Sequence, residues 1–355
     1  MKTLRNKTVK RFAFKNIAAL VMVIAAYIVF MGNSDIFMKI AAANGFPVKF
    51  GANINSNGEN AGTGNIITRL IGIDDIIYQP ETDIELSKDT PKIEITKDDI
   101  DKLSDFEYVK NNFYTIDKKT NLLEEDIAVN EFLAYDFTLN NKIKGPKELI
   151  FHTHSNEAYS DSDISKGIKE GIYGVGERLK ELLEKKYGIE CIHHDGRYDI
   201  VDGKSQLIGA YERMEPDIRE ILKNNPSIEV VIDMHRDGVR DDIRLVREIN
   251  GKSTAQIMFF NGICKIYKNG VLEGTENLNS SYVKDNMALS FDMQLTANKL
   301  YPGFTRKIYI NAYRYSLHML PKSMLVEVGA QTNTKEEALN AMEPLADILA
   351  SVLLK

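Results

Sequence analysis

The chain has 355 residues, 43% hydrophobic and 27% charged, enough to bury a sizeable core and too mixed for a collagen, a coiled coil or a multi-span membrane protein. Its net charge of −6 is uneven: six of the 45 Lys and Arg fall in the first sixteen positions, so 39 stand against 51 Asp and Glu in the rest, a balance of −12. So acidic a body cannot neutralise phosphates, which excludes non-specific nucleic-acid binding, and the basic tip points to a membrane.

After the tip, Ile17 to Met31 is a run of fifteen apolar residues. A spanning helix wants about twenty, reached here by recruiting Phe12 to Phe14 and tolerating Lys15 and Asn16. Residues 1–32 are expected to form a cytoplasmic tip and a single-pass membrane anchor. A signal cleaved near Ala41-Ala42-Ala43 is the alternative. Either places the remaining chain outside the cytoplasm. Residues 33–65, rich in Gly and Asn from Asn44 onward, read as a flexible linker. Residues 66–146 mix short apolar groups with acids and read as an accessory region, with an amphipathic segment from Ile100 to Val109.

From Lys147 the pattern alternates. Strands are expected at Glu148–Phe151, Ile189–Ile192, Glu229–Ile232, Ala255–Gly262, Arg306–Ile310 and Met324–Val328. Helices are expected at Gly171–Lys186, Ser205–Asn224, Tyr282–Leu300 and Lys335–Leu354. This predicts an α/β domain over 147–355, with a mostly parallel mixed sheet of about six strands and helices on both faces. In such sheets functional groups gather at the carboxyl ends of strands. Cys191 and Cys264 fit no CxxC or Cys/His spacing and read as buried thiols on strands, although a disulfide between them stays open.

Five of the six histidines sit at expected strand ends, in His152-Thr153-His154, His193-His194 and Met234-His235; His318 does not. Imidazole with carboxylate suits zinc, and a catalytic zinc takes three protein ligands and keeps one open position for water. His154 and His235 are the first two candidates, with Glu157 as third ligand by proximity and Glu170 as its rival. His152, two residues from His154, would point to the same side of a strand; it is either a ligand or a core histidine near the site. His193 and His194 favour a surface or cleft role. Glu327, ending an apolar strand, could take a proton from water and pass it to a leaving amine.

HTHSNEAY at 152–159, IDMHRDG at 232–238 and LVEVGAQTN at 325–333 together resemble the stage II sporulation protein P family, peptidoglycan hydrolases of endospore formers. The same skeleton is similar to the zinc-dependent type 3 N-acetylmuramoyl-L-alanine amidases. The resemblance spans Lys147 to the C-terminus. It implies His154 and His235 as zinc ligands, Glu327 as the catalytic carboxylate, and supporting or substrate contacts from Arg236 and Asp237. In ordinary type 3 amidases a ligand comes from a Glu-Lys pair just before the first helix; here Glu170 is out of register, which keeps Glu157 and Glu170 both open. The family further implies cleavage of the N-acetylmuramoyl-L-alanine amide, and also of peptide cross-links, during engulfment. Its implied partners are stage II sporulation protein D, a lytic transglycosylase, and the membrane protein M. A zinc peptidase of wall stem peptides and a non-catalytic wall-binding scaffold are the competing readings.

Overall fold

The computed structural model describes residues 94–276 and 280–354, all within one compact unit, Glu81–Lys355. The expected anchor and linker, residues 1–65, lie outside the described residues. Among the described residues no helix is long and apolar enough to cross a membrane.

The described chain opens with helices α1 (Lys97–Leu103) and α2 (Phe106–Phe113), strand β1 (Tyr114–Ile116) and the short helix α3 (Val129–Phe132). The expected Ile100–Val109 segment is thus two helices. The Asp105 side chain accepts from Tyr108 N and caps the second, which ends the first at Ser104. Next come β2 (Glu148–Phe151), α4 (Ile172–Tyr187), β3 (Cys191–His193), the hairpin β4–β5 (Ile200–Val201, Lys204–Ser205) and α5 (Ala210–Asn224). α5 begins five residues later than expected, because 200–205 is a hairpin and Gly209, at φ 81, precedes the first turn. Strand β6 (Val230–Asp237) is followed by the hairpin β7–β8 (Val246–Ile249, Lys252–Ala255), β9 (Ile257–Gly262) and the hairpin β10–β11 (Lys265–Lys268, Val271–Gly274). Last are α6 (Val283–Leu300), β12 (Ile308–Asn311), β13 (Ser323–Ala330), α7 (Lys335–Asn340) and α8 (Met342–Leu353). The single helix expected at the C-terminus breaks at Ala341, since Pro344 has no N–H to donate to the carbonyl four residues back.

Seven strands form the main sheet in the order β1-β12-β9-β13-β6-β2-β3, one more than the approximate six expected. All neighbours are parallel except β13 and β9, so the sheet is mostly parallel and mixed. Its two faces follow from alternation. Val230, Ile232 and Met234 of β6 and Met324, Val326 and Val328 of β13 enter the main core with α4, α6 and α8. Leu149, Phe151 and Val231 face the opposite way and pack with Ala210, Met214 and Ile218 of α5. Both faces therefore carry helices. The described part of the expected accessory region is built into the same body: β1 is an edge strand of the sheet, and Phe113 and Phe132 pack on Phe291 at 5.0 and 5.9 Å.

Candidate active site

Strand register assembles the site. In β6, Asp233 and His235 share the face of Val231, and β13 runs parallel beside it with Glu327 paired to His235. The two side chains therefore stand side by side on the α5 face. Immediately after Glu327 the register shifts. Gly329 adopts φ 60, and the Asn333 side chain accepts from Ala330 N at 2.9 Å. This bulge ends the strand's regular pairing at Glu327 and explains why a glycine and an asparagine follow it.

His154 and Glu157 reach the same row from the loop after β2. Thr153 donates from its backbone N (3.0 Å) and Oγ1 (2.7 Å) to Asp233, and His154 then stacks edge-on to His235 at 5.2 Å and to Tyr211 at 5.8 Å. Ser155 Oγ donates to Asp199, and Asn156 N donates to its other oxygen at 3.1 Å. Asp199 and Asp233 are both fully buried, so two buried carboxylates clamp the loop at 153 and at 155–156. Glu157 Oε1 lies 3.4 Å from His235 Nδ1, and its Oε2 accepts from Arg236 N at 2.7 Å.

Burial and these neighbours set the charges. Burial and the adjacent His235 lower the His154 pKa, keeping that imidazole neutral. At His235 burial works the same way, but the Asp233 and Glu157 carboxylates outweigh it and hold the ring well above the ordinary imidazole value. Burial would raise the Asp233 carboxyl, yet His235 and the Thr153 hydrogen bonds bring it down to about 2. Glu327 goes the other way: burial, reinforced by Glu157, Asp237 and Asp233 and only partly opposed by His235, pushes it well above the usual carboxylate range.

The remaining predicted residues separate. His152 was expected on the side of His154, but β2 ends at Phe151 and alternation does not carry through the turn. His152 lies on the opposite face, fully buried, with Nδ1 on Met234 O at 2.8 Å and Nε2 on His193 Nε2 at 2.9 Å. His193 also meets Glu177 at 3.1 Å, and His194 meets Tyr198 Oη at 2.6 Å. Glu170 pairs with Lys335 at 3.0 Å, so of the two rival carboxylates it is Glu157 that joins the histidines. Arg236 Nε donates to Ala158 O at 2.9 Å and Asp237 pairs with Arg306 at 2.7 Å, which brace the rim. His318 pairs with Glu215 at 2.9 Å. Both cysteines are free and buried; Cys191 is on β3 and Cys264 just beyond β9. Sequence reasoning gave no role to Asp233, Asp199 or Tyr211. Only Asp233 carried a local signal, as a lone acid inside the apolar run Val230 to Met234.

Among the described residues no three His, Cys, Asp or Glu side chains close around one point. The donors nevertheless fit zinc in kind, with two imidazoles and a carboxylate. The 3.4 Å between His235 Nδ1 and Glu157 Oε1 is roughly the spacing of two neighbouring donors on a tetrahedral zinc with bonds of about 2.0–2.1 Å. Asp233 Oδ1 lies 2.8 Å from His235 Nε2, whereas His154 Nδ1 and Glu327 Oε2 are buried without a hydrogen-bond partner. Such atoms cost free energy unless another group satisfies them.

Known proteins resemble the chain in part. Stage II sporulation protein P of Bacillus subtilis (strain 168) is 23% identical over 223 residues, 59% of this chain and 52% of that protein, so the match spans about half of its length. The amidase AmiC2 of Nostoc punctiforme aligns at 14% identity and a TM-score of 0.34, over 58% of this chain and 97% of its own. The CwlD amidase of Clostridioides difficile, solved with the GerS lipoprotein, aligns at 14% and 0.35, over 59% and 95%. The model of the stage II sporulation protein P family matches residues 50–350, and the chain belongs to that family.

Proposed function

We propose that the chain is a zinc-dependent peptidoglycan hydrolase that cleaves the N-acetylmuramoyl-L-alanine amide during sporulation. The observation that supports this best is the pairing of His235 and Glu327 on adjacent strands, with His154 and Glu157 brought to them by one clamped loop. His154, His235 and Glu157 would hold the metal, which when bound would supply Lewis acidity toward the scissile carbonyl and the attacking water. Glu327 takes a proton from that water as its oxygen bonds to the carbonyl carbon; the C–N bond then breaks and the same carboxyl returns the proton to the leaving amine. Asp233 orients His235, and the Arg236 amide fixes Glu157. The anchor at Ile17–Met31, the extracytoplasmic location and cooperation with stage II sporulation proteins D and M belong to the same proposal.

The test is digestion of purified sacculi by the zinc-loaded full chain. Release of intact stem peptides is the expected product, and shortened or uncross-linked peptides would instead make the protein a peptidase. Glu327→Gln should keep zinc and lose about 10²–10⁴-fold in rate. Undiminished digestion by His235→Ala would refute the zinc mechanism.

A further inference from the structure

The sheet face that carries His235 and Glu327 is covered by a helix over only part of its width among the described residues. Helix α5 packs on β2 and β6. Farther across, register continues the same face from Leu325 to Phe260 of β9 and on to Tyr309 of β12, and both rings are only half-buried. Tyr315, from the loop after β12, stands 4.7 Å from Phe260 and 5.6 Å from Tyr211, which itself touches His154. Tyr313, 36% exposed, extends the series outward at 6.4 Å. Aromatic rings thus run without a gap from a candidate zinc ligand across the open face.

The backbone is distorted to build this surface. Tyr315 holds φ 53, an unfavourable conformation for a bulky side chain. Gly262 makes room for it: a Cβ there would collide with the Tyr313 carbonyl and come within 3.0 Å of Tyr315 Cδ2. Strain kept beside a reactive carboxylate points to a task for the ring.

We propose that Tyr211, Tyr315 and Phe260 form a shelf on which a saccharide of the glycan strand stacks, placing its lactyl amide at Glu327. The inference rests on the hydrolase reading above. Flat apolar rings with phenol tips suit the C–H face of an uncharged amidosugar. At the outer end Asp117, which accepts from Tyr309 Oη at 2.9 Å, and Lys119, 5.4 Å over the Tyr313 ring, carry opposite charges, so the shelf selects no charged ligand and its rings suit the uncharged sugar.

The experiment measures equilibrium binding of stem-free glycan strands to the zinc-loaded full chain carrying Glu327→Gln, which binds without turnover. Adding Tyr315→Gly or Phe260→Ala should each weaken binding about tenfold. In an otherwise wild-type chain Tyr315→Gly should raise the apparent KM for sacculi by a larger factor than it lowers kcat. Both variants lose ring packing, so binding is compared at a temperature where the melting curves show both chains fully folded, which separates lost stacking from lost folding. Glycan affinity unchanged in both variants, or competition by free stem peptides as strong as by glycan, would overturn the shelf. Glycan binding by a wild-type chain that hydrolyses nothing would sink the hydrolase reading and leave the shelf standing.

Discussion

Glu148, the first residue of β2, is fully buried and neither carboxyl oxygen has a hydrogen-bond partner. Burial alone pushes its pKa from 4.5 up to about 8. The folded protein therefore keeps this carboxyl neutral at pH values where the unfolded chain ionises it. From about pH 4.5 to 8 the unfolded state holds fewer protons, so stability falls as pH rises, at about 1.4 kcal/mol per pH unit. The accumulated penalty is about 1 kcal/mol at pH 5 and about 3 kcal/mol at pH 7. Glu148→Gln removes the titration while keeping size and polarity. Urea denaturation of both proteins at equal zinc should show the mutant's advantage growing by about 2 kcal/mol between pH 5 and pH 7. A difference that stays flat across that interval would refute the assignment of Glu148 as a neutral buried acid.

The clamp on the ligand loop makes Asp199→Asn a specific test: zinc affinity, measured by competition with a chromophoric chelator, should fall about 10–100-fold, and unchanged affinity would mean the clamp does not position the ligands. Glu157→Gln should weaken zinc binding while Glu170→Gln leaves it intact, because only Glu157 stands beside His235; the reverse order would exchange their roles. Gly329→Ala forces a Cβ to 2.7 Å from Asn333 Oδ1 at φ 60 and should cost about 1–3 kcal/mol of stability by denaturant melt. Sacculus digestion by the chain should stop after treatment with a strong zinc chelator and return on adding zinc; activity surviving removal of the metal would end the zinc mechanism.

The central strands were legible because buried strands of a mostly parallel sheet are long apolar runs, and in β6 and β13 the apolar run gives way to His235 and Glu327 before the strand itself ends. His235 and Glu327 stand side by side for that reason, and the loop after β2 brings His154 and Glu157 to them. His152 did not, because period-two alternation was carried past Phe151, where the strand stops. Asp199 and Asp233 act across 44 and 80 residues of sequence, a distance at which no local pattern reports a partner. The three small hairpins did have a local signature: Asp202-Gly203, Asn250-Gly251 and Asn269-Gly270 all take positive φ at both positions, as two-residue hairpin turns require. One of them shortened the helix expected from Ser205.

The chain enters this body through α1, α2 and β1, and β1 is an edge strand of three residues paired to β12 alone. Two strands, β12 and β9, separate it from the strand bearing Glu327. Any pull transmitted along the preceding polypeptide would pass through α1 and α2 and reach the sheet at this edge. Peeling β1 away would break a few backbone bonds and leave the pairing of β6 with β13 untouched. In mechanical terms the edge strand is a fuse, which would yield while the paired strands that carry the reacting groups keep their alignment.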